Sequence, residues 1–237
     1  MFFKTLSEKF SRTQHPSFIR NRDYFTEIDQ NRPIDSYEFV VYDTELTGLN
    51  PRKDEIVSIG AVRIRNLQIL VGETFHTYLK PQRNLPKNST LIHRITPQQI
   101  ENSPALEEIL PEFVDFCGQA FLVGHYVGLD TSFINRSAKK MFGSGLHNPC
   151  LDTMRLAQAY REMTWENYHD RFRMNVSFNL ADLGKEYSLP PFTRHDAFED
   201  AMQTAYLFVY LVKKMRAQGI ITLKDLFIAG QRWRWII

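Results

Sequence analysis

Residues 38–49 read EFVVYDTELTGL, and this stretch decides the fold because it ends an apolar strand on two acids. Its first six residues are rich in β-branched and aromatic side chains, which predicts a buried strand. Asp43 and Glu45 are two residues apart, so both carboxylates project from one face of that strand. Neighbouring carboxylates repel each other unless a cation lies between them, so the pair indicates a metal site. A solvated strand end before the turn at Gly48 explains the pair equally well.

The rest of the chain predicts the fold around this strand. Two more runs of β-forming residues, at 55–65 and 69–79, follow across short loops and favour an antiparallel meander. Helices and strands then alternate, which predicts an α/β fold with a mixed sheet covered by helices. These later elements are helices beginning at Thr96 and Ser103, a strand at 120–125, a helix at 130–141, a strand at 149–153, a helix around 155–161 and a long helix at 197–215.

The chain of 237 residues is long for one average domain and short for two, so we expect one domain with appendages. Residues 1–36 are expected to form a helical leader and linker, because apolar residues recur at helical spacing between Phe2 and Phe10. A helix lying on a membrane surface is the alternative for this segment. The main domain is expected at 37–215, and a basic C-terminal extension at 216–237.

The composition excludes several classes of protein. A hydrophobic fraction of 43% with 24% charged residues is that of a globular protein with a sizeable core. No apolar run approaches the ~20 residues that a membrane span needs. Cys117 and Cys150 lack metal-ligand spacing, which indicates a reducing compartment and a cytoplasmic location. The absence of glycine-rich dinucleotide and Walker motifs argues against a cofactor enzyme, and the net charge of +2 is too small to identify a partner.

Another acid follows the predicted strand at 120–125. Residues 124–130 read GHYVGLD, which places Asp130 near the carboxyl end of that strand. Sheets of α/β proteins carry their sites at the carboxyl ends of strands, so Asp130 is a candidate site residue. An N-cap of the following helix is the alternative for this aspartate.

A histidine and further acids precede the long helix. Residues 194–200 read RHDAFED, and Asp196 with Glu199 predicts a capping box at the helix start. His195 then projects from the preceding loop. Asp200 lies in the first turn, where the helix dipole favours an ionised carboxylate. Taken singly, the two residues have ordinary explanations, as a surface histidine and as a first-turn acid.

Together and in this order, the three segments carry a resemblance to a known family. DTELTGL at 43–49, GHYVGLD at 124–130 and HDAFED at 195–200 resemble the three motifs of the DEDDh 3′–5′ exonuclease superfamily. The resemblance spans about residues 38–212 and is greatest to the group around the proofreading epsilon subunit of bacterial DNA polymerase III. Further similar segments lie at 93–96, 151–153 and 179–183.

The resemblance implies a ribonuclease H-like mixed sheet flanked by helices, to which the segments outside it add N- and C-terminal helical extensions. It also implies a site for two divalent cations, Mg²⁺ or Mn²⁺, and a histidine that deprotonates the attacking water. Hard oxygen ligands suit these ions better than Zn²⁺, and two ions can stabilise both the attacking and the leaving oxygen. The motifs match Asp43, Glu45, Asp130 and Asp200 to the metal ligands and His195 to the histidine.

Residues beside the motif acids are expected to contact the terminal nucleotide. These are Thr44, Leu46, Thr47, His93 and Tyr126. Relatives commonly have threonine at the position of Leu46 and asparagine at that of Tyr126. Neither residue is a metal ligand, so we expect the chemistry to be kept and the substrate preference to differ.

The segment 160–174, YREMTWENYHDRFRM, interleaves aromatic residues with arginines. Such a composition is typical of a single-strand platform, in which bases stack on rings and arginines contact phosphates. Trp165 and Arg171 are its candidate substrate contacts. Packing in the core is the alternative, because an aromatic stripe near helical spacing is typical of core residues.

The implied activity is release of nucleoside 5′-monophosphates from the 3′ ends of single-stranded nucleic acid, with DNA favoured. Trimming of RNA 3′ ends is the alternative within the superfamily. A catalytically inactive nucleic-acid-binding or scaffold protein is the alternative from another class, and the presence of all five site residues argues against it. A free-standing exonuclease is favoured, and contact with a polymerase or sliding clamp through residues 223–227 (LKDLF), which weakly resemble a clamp-binding peptide, is the alternative. Association with the nucleoid is expected if DNA is the substrate. The oligomeric state is left open.

Overall fold

A computed structural model of the chain describes residues 15–164 and 177–231. Within them the strands are Glu38–Leu46 (β1), Ile56–Arg65 (β2), Gln68–Tyr78 (β3), Phe121–Gly124 (β4) and Cys150–Asp152 (β5). The helices are Pro16–Tyr24 (α1), Lys87–His93 (α2), Pro97–Ile100 (α3), Leu106–Cys117 (α4), Gly128–Phe142 (α5), Thr153–Met163 (α6), Leu180–Glu186 (α7), Ala197–Arg216 (α8) and Leu223–Gln231 (α9), with a 3₁₀ turn at Ile34–Ser36.

The strands form one mixed sheet in the order β3-β2-β1-β4-β5. The pairs β1–β2 and β2–β3 are antiparallel, as the predicted meander requires. The pairs β1–β4 and β4–β5 are parallel, so β1, β4 and β5 end at the same edge of the sheet. The predicted α/β fold with a mixed sheet covered by helices is therefore confirmed.

The central strand β1 is buried on both faces, which explains its unbroken apolar run. Phe39 and Val41 pack with α6, α8 and α9, whereas Val40 and Tyr42 pack with α1, α4 and α5. Burying one such side chain stabilises the fold by roughly 1.5–3 kcal/mol, so this strand anchors both helical layers.

Some helices begin at other residues than predicted, and local hydrogen bonds explain the difference. The helix predicted to begin at Ser103 begins at Leu106, because the Ala105 N–H donates to Oε1 of Glu108 at 3.1 Å and sets the first turn there. The sequence predicted no helix at 87–93 or 180–186. Each is 7 residues long, which is about two turns and too short to show a clear apolar period.

Both segments outside the predicted main domain contribute to the core. Helix α1 packs on α4 and buries Phe18, although the apolar repeat predicted between residues 2 and 10 lies outside the described residues. At the other end, the N–H of Lys224 donates to the Gln30 carbonyl at 2.9 Å. Leu223 and Leu226 are fully buried. The division at residues 36 and 215 remains a prediction.

The burial of α9 argues against the alternative that residues 223–227 bind a sliding clamp. Its two leucines lie in the core, and Phe227 packs edge-on against Phe121 with ring centroids 6.0 Å apart. These side chains do not face a partner in this fold. Over the parts of the chain that the structure describes, no helix is both long and apolar enough to cross a membrane.

Gly60 of β2 pairs with Asp43 of β1 and lies directly beneath the start of α8. A Cβ atom at Gly60 would lie 2.3 Å from the backbone of Ala197 and Phe198. A glycine within a strand often marks such a close approach of another backbone. The first turn of α8 can therefore take this position only because Gly60 has no side chain.

We predict that Gly60→Ala lowers the free energy of unfolding by ~1–3 kcal/mol, because the added methyl must push α8 away from the sheet. Urea denaturation measures the change. Gly72→Ala is the matched control, since a Cβ there meets nothing within 4 Å on the exposed strand β3. Equal stability of the two variants would contradict the close approach.

Candidate functional site

Three carboxylates meet where β1 ends and α8 begins. Asp43, Glu45 and Asp200 each offer one oxygen, and these oxygens all lie within 4.8 Å of one another. Asp43 and Glu45 share a face of β1, as their spacing predicts. Asp200 reaches them from the first turn of α8 because that turn rests on Gly60, the ladder partner of Asp43.

Asp130 lies on α5, beside this group, and is held by β1. Its Oδ1 accepts hydrogen bonds from the Thr44 backbone N–H at 3.1 Å and from the Thr44 hydroxyl at 2.5 Å. Asp130 is therefore not the N-cap of α5. Thr44, expected to contact substrate, is 7% exposed and positions Asp130 instead.

Burial and mutual repulsion make these acids hard to ionise. Burial, then the charges of Asp130, Asp200 and Glu45, raises the pKa of Asp43 well above its usual range. Burial and the charge of Asp200 raise the pKa of Glu45 to about 8. Burial also raises the pKa of Asp130, to about 6, although the hydrogen bonds from Thr44 oppose this change. The ionised carboxylates are unfavourable in this site, and a neighbouring cation would stabilise their charged form.

The loop before α8 fixes His195 against Asp200. The His195 backbone has a φ of 61°, in the left-handed region, and its N–H donates to Oδ2 of Asp200 at 3.0 Å. Asp196 caps α8 by accepting the N–H groups of Phe198 and Glu199, each at 3.0 Å. Half of the predicted capping box is wrong, because Glu199 accepts the Thr193 N–H rather than reaching back to Asp196.

His195 is exposed and borders two hollows. The first, which we call the acidic hollow, has a volume of ≈ 160 Å³ and is lined by Asp43, His125, Arg194, His195, Asp200 and Gln203, among others. The second, the histidine hollow, has a volume of ≈ 140 Å³ and is lined by His93, Gln99, Tyr78 and His195, among others. His195 thus lies between the acids and a second recess.

His93 lines the histidine hollow and carries a donor without a partner among the described residues. Its Nδ1 accepts the Ile95 backbone N–H at 3.0 Å, so the neutral ring carries its proton on Nε2. Burial and the nearby charge of His195 lower the pKa of His93 and favour this neutral form. The Nε2 atom is buried without a hydrogen-bond partner among the described residues.

The other residues expected to contact substrate differ in how far they are exposed. Tyr126 is 50% exposed, has a φ of 56° and donates its backbone N–H to the Asp152 carboxylate at 3.1 Å. The Thr47 hydroxyl accepts the Glu55 N–H at 2.9 Å, and Leu46 packs partly against the core. Trp165 and Arg171, with most of the segment 160–174, lie outside the described residues.

Sequence reasoning missed three residues that line the acidic hollow. Arg194 adjoins His195 and brings a cation to the acids, and Gln203 follows Asp200 by three residues on the same helix face. These spacings were readable in the sequence. His125 bonds Thr153 and the Phe178 carbonyl, each at 2.8 Å, and only the fold brings these partners together.

The chemistry of the acidic group fits a divalent cation. The three carboxylates supply hard oxygen ligands, and no cysteine lines the acidic hollow. Such a donor set suits Mg²⁺ or Mn²⁺. A cation here would also neutralise the repulsion that raises the pKa values of Asp43 and Glu45.

A mixed sheet flanked by helices, with acids at the end of β1 and in the first turns of α5 and α8, defines the ribonuclease H-like class of exonucleases. The sequence model described as "Exonuclease" (RNase_T) matches residues 40–208. The chain belongs to this exonuclease family, which confirms the resemblance that its motifs carry.

Relatives named as DNA polymerase III proteins support the same family assignment. The chain is 34% identical over 208 residues to a DNA polymerase III PolC-type from Thermotoga petrophila, covering 88% of this chain and 14% of that protein. It is 30% identical over 177 residues to the DNA polymerase III subunit epsilon of Aquifex aeolicus, covering 75% of this chain and 81% of that protein. The chain thus spans a small part of the PolC-type relatives and most of the epsilon subunit.

Solved structures show the same fold at low sequence identity. Exonuclease X in complex with 5′ overhanging duplex DNA has a TM-score of 0.58 and 21% identity, with 81% of this chain and 99% of that chain covered. E. coli exonuclease I in complex with a dA16 oligonucleotide has a TM-score of 0.67 and 19% identity, with 81% and 43% covered.

We predict that the stability of the metal-free protein falls as the pH rises from about 6.5 to about 8. Glu45 titrates at about 8 in the folded state and near 4.5 when unfolded, so the folded state holds the extra proton in this window. Raising the pH removes that proton and ionises a buried carboxylate. Buried histidines oppose this trend only below about pH 6.5.

Melting temperatures in chelator measure the slope. Glu45→Gln should flatten it, whereas Glu112→Gln, an exposed control on α4, should not. Mn²⁺ should raise the wild-type melting temperature by mass action, and more strongly at the higher pH. A Glu45→Gln slope equal to that of wild type would contradict the raised pKa.

Proposed function

We propose that this protein is a two-metal 3′–5′ exonuclease that releases nucleoside 5′-monophosphates from single-stranded nucleic acid, with DNA preferred. The observation that carries the proposal is the group of Asp43, Glu45 and Asp200 within 4.8 Å, with His195 bonded to Asp200. Membership of the exonuclease family supports the hydrolytic chemistry.

The roles follow from the placement of the side chains. Asp43, Glu45 and Asp200 would hold the cations, with Asp130 held ready by Thr44. Two such cations stabilise charge on the attacking and leaving oxygens. His195, in the loop above Asp200, accepts the proton of the attacking water. The water oxygen bonds to phosphorus and the bond from phosphorus to the 3′ oxygen breaks. The 3′ oxygen takes up a proton from solvent, so the shortened strand leaves with a 3′ hydroxyl and the terminal nucleotide leaves as a 5′-monophosphate.

Two features of the loop suit His195 to this role. Its backbone N–H donates to Asp200 at 3.0 Å, so the main chain of His195 keeps a set position beside that acid. Its side chain is exposed and lines both hollows, so it can reach a water molecule beside a bound phosphate. A left-handed histidine backbone costs roughly 1–3 kcal/mol, and such strain is typical of functional sites.

His93 is proposed to contact the terminal nucleotide through Nε2. A buried donor without a partner costs roughly 1–3 kcal/mol, and a substrate oxygen in the histidine hollow would remove that cost. Because Nδ1 accepts the Ile95 N–H, rotating the ring to point Nε2 at another acceptor would break that hydrogen bond.

We propose DNA rather than RNA as the substrate because relatives are named as parts of DNA polymerase III. The solved structures of exonuclease X and exonuclease I, whose fold this chain shares, are complexes with DNA. The same relatives support association with a polymerase and a place at the nucleoid in the cytoplasm. Trimming of RNA is the second candidate, since the site described contains no feature that reads the sugar.

We predict that, with Mn²⁺, the protein shortens a 5′-labelled single strand from its 3′ end and releases nucleoside 5′-monophosphates. Asp43→Asn and Asp200→Asn should remove this activity without loss of folding, because each change relieves repulsion among buried acids. Glu112→Gln should keep full activity. A bulky group on the 3′ end should stop the reaction. Cutting of a circular strand, or activity in chelator, would contradict the proposal.

We predict different kinetic effects for the two histidines. His195→Ala should lower kcat by ~10²–10⁴, the range for loss of a general base. His93→Phe should raise KM by roughly 2- to 10-fold, the equivalent of one neutral hydrogen bond, with a smaller change in kcat. His93→Gln, which restores a donor, should recover part of the loss. His147→Ala, an exposed histidine, is the control for both. An unchanged KM in His93→Phe would remove His93 from the substrate site.

A further inference from the structure

A third hollow, of ≈ 210 Å³, opens beside the β1–β2 loop and is rich in cations. We call it the basic hollow. Its positively charged lining residues are Arg52, Lys53, Lys80, Arg83, Arg136 and Lys140. Its acids are Asp54, Glu55 and Glu107, so cations outnumber acids two to one. This concentration contrasts with a whole chain whose net charge is only +2.

The cations of the basic hollow are not neutralised by ion pairs. In the ranges 15–164 and 177–231, none of them forms a salt bridge. Lys80 donates to the Glu101 carbonyl at 2.8 Å and Arg83 to the Lys53 carbonyl at 2.9 Å. These bonds hold the side chains in place without cancelling their charge.

Two of the nearby acids are already occupied by backbone donors. Asp54 accepts the Asn50 N–H at 2.9 Å, and Glu55 accepts the Gln82 N–H at 2.7 Å. These bonds orient the two carboxylates toward the loop backbone. Because cations outnumber acids in the lining, the field in the basic hollow is positive, and an anion would find several free donors.

The basic hollow is built on the elements that carry the metal-site acids. The Thr47 N–H, two residues after Glu45, donates to the Glu55 carbonyl at 2.9 Å, which joins the loop to the end of β1. Arg136 follows Asp130 by six residues on α5, which is about 9 Å along the helix. Two separate elements thus lead from the acids to the cations over a short distance.

Two further recesses lie on either side of α3, and one of them adjoins the basic hollow. A neighbouring recess of ≈ 390 Å³ shares Lys80 and Arg83 with the basic hollow and extends to α3. On the other side of α3, Gln99 lines the histidine hollow. A strand whose end lies at His195 would pass α3 to reach the cations.

We propose that the basic hollow binds the phosphate backbone of the nucleic acid strand upstream of its 3′ end. The inference rests on the proposed function, because it supplies the strand that the hollow would hold. Phosphates at regular intervals match exposed lysines and arginines that contribute charge without base-specific geometry. The hollow would then strengthen binding of long strands in a way that is independent of sequence.

The experiment uses fluorescence anisotropy of a labelled oligothymidylate, in chelator so that no cleavage occurs, over about 50–200 mM salt. Lys140→Glu and Arg136→Glu test the hollow. Lys139→Glu is the matched control, because Lys139 is exposed on the same helix but does not line the hollow. All variants should melt near the wild-type temperature, since the changed side chains are exposed.

The expected result is weaker binding by Lys140→Glu and Arg136→Glu, with the slope of log affinity against log salt reduced by about 0.7 for each lost phosphate contact. Lys139→Glu should match wild type. Wild-type affinity or slope in Lys140→Glu and Arg136→Glu, or an equal loss in Lys139→Glu, would overturn the proposal.

A second measurement separates this inference from the proposed function. The 4-nitrophenyl ester of thymidine 5′-monophosphate is too short to reach the basic hollow, so its hydrolysis by wild type with Mn²⁺ reports on the acids, His195 and His93 without the basic hollow. Absence of that hydrolysis would contradict the exonuclease proposal, whereas the binding data still decide the role of the basic hollow.

Discussion

The repulsion between carboxylates buried at the end of β1 is the constraint on which the rest of the site depends. Asp43 and Glu45 share one face of the strand, and Asp200 is brought to within 4.8 Å of them. Burial raises the pKa of each acid, so the arrangement opposes its own ionisation. A fold gains nothing from such a group unless a cation neutralises it, which is why these residues indicate function rather than stability.

The scaffold holds the acids together by packing and by one hydrogen-bonded residue. The apolar run of β1 fills both faces of the sheet and fixes the strand between two helical layers. The bare backbone of Gly60 lets α8 approach and carries Asp200 to the site. Thr44 ties Asp130 to the strand through both its hydroxyl and its N–H. Strand β1 and helices α5 and α8 therefore position the four acids, and the sheet edge is where those elements meet.

Charge is divided across this edge of the molecule. The acids lie at the end of β1 with His195 and Arg194 beside them, and the basic hollow lies beyond the following loop. The acids suit the binding of cations that act on the phosphate to be cleaved. The basic residues suit the binding of phosphates that are not cleaved. One loop and one helix carry both regions, so binding along a strand and reaction at its end share the same support.

The sequence alone determined the α/β class, the central strand with its paired acids, the order of the motifs and the family, because these depend on local spacing. Strand alternation placed Asp43 beside Glu45, and the Asp196 cap placed Asp200 in the first turn of α8. Only the tertiary structure decided that Thr44 serves Asp130, that His93 keeps a free donor, that Leu223 and Leu226 are buried, and that cations from residue 52 to residue 140 share one hollow. Those facts are contacts between residues distant in the chain, and they depend on how closely the helices pack on the sheet, which no local pattern records.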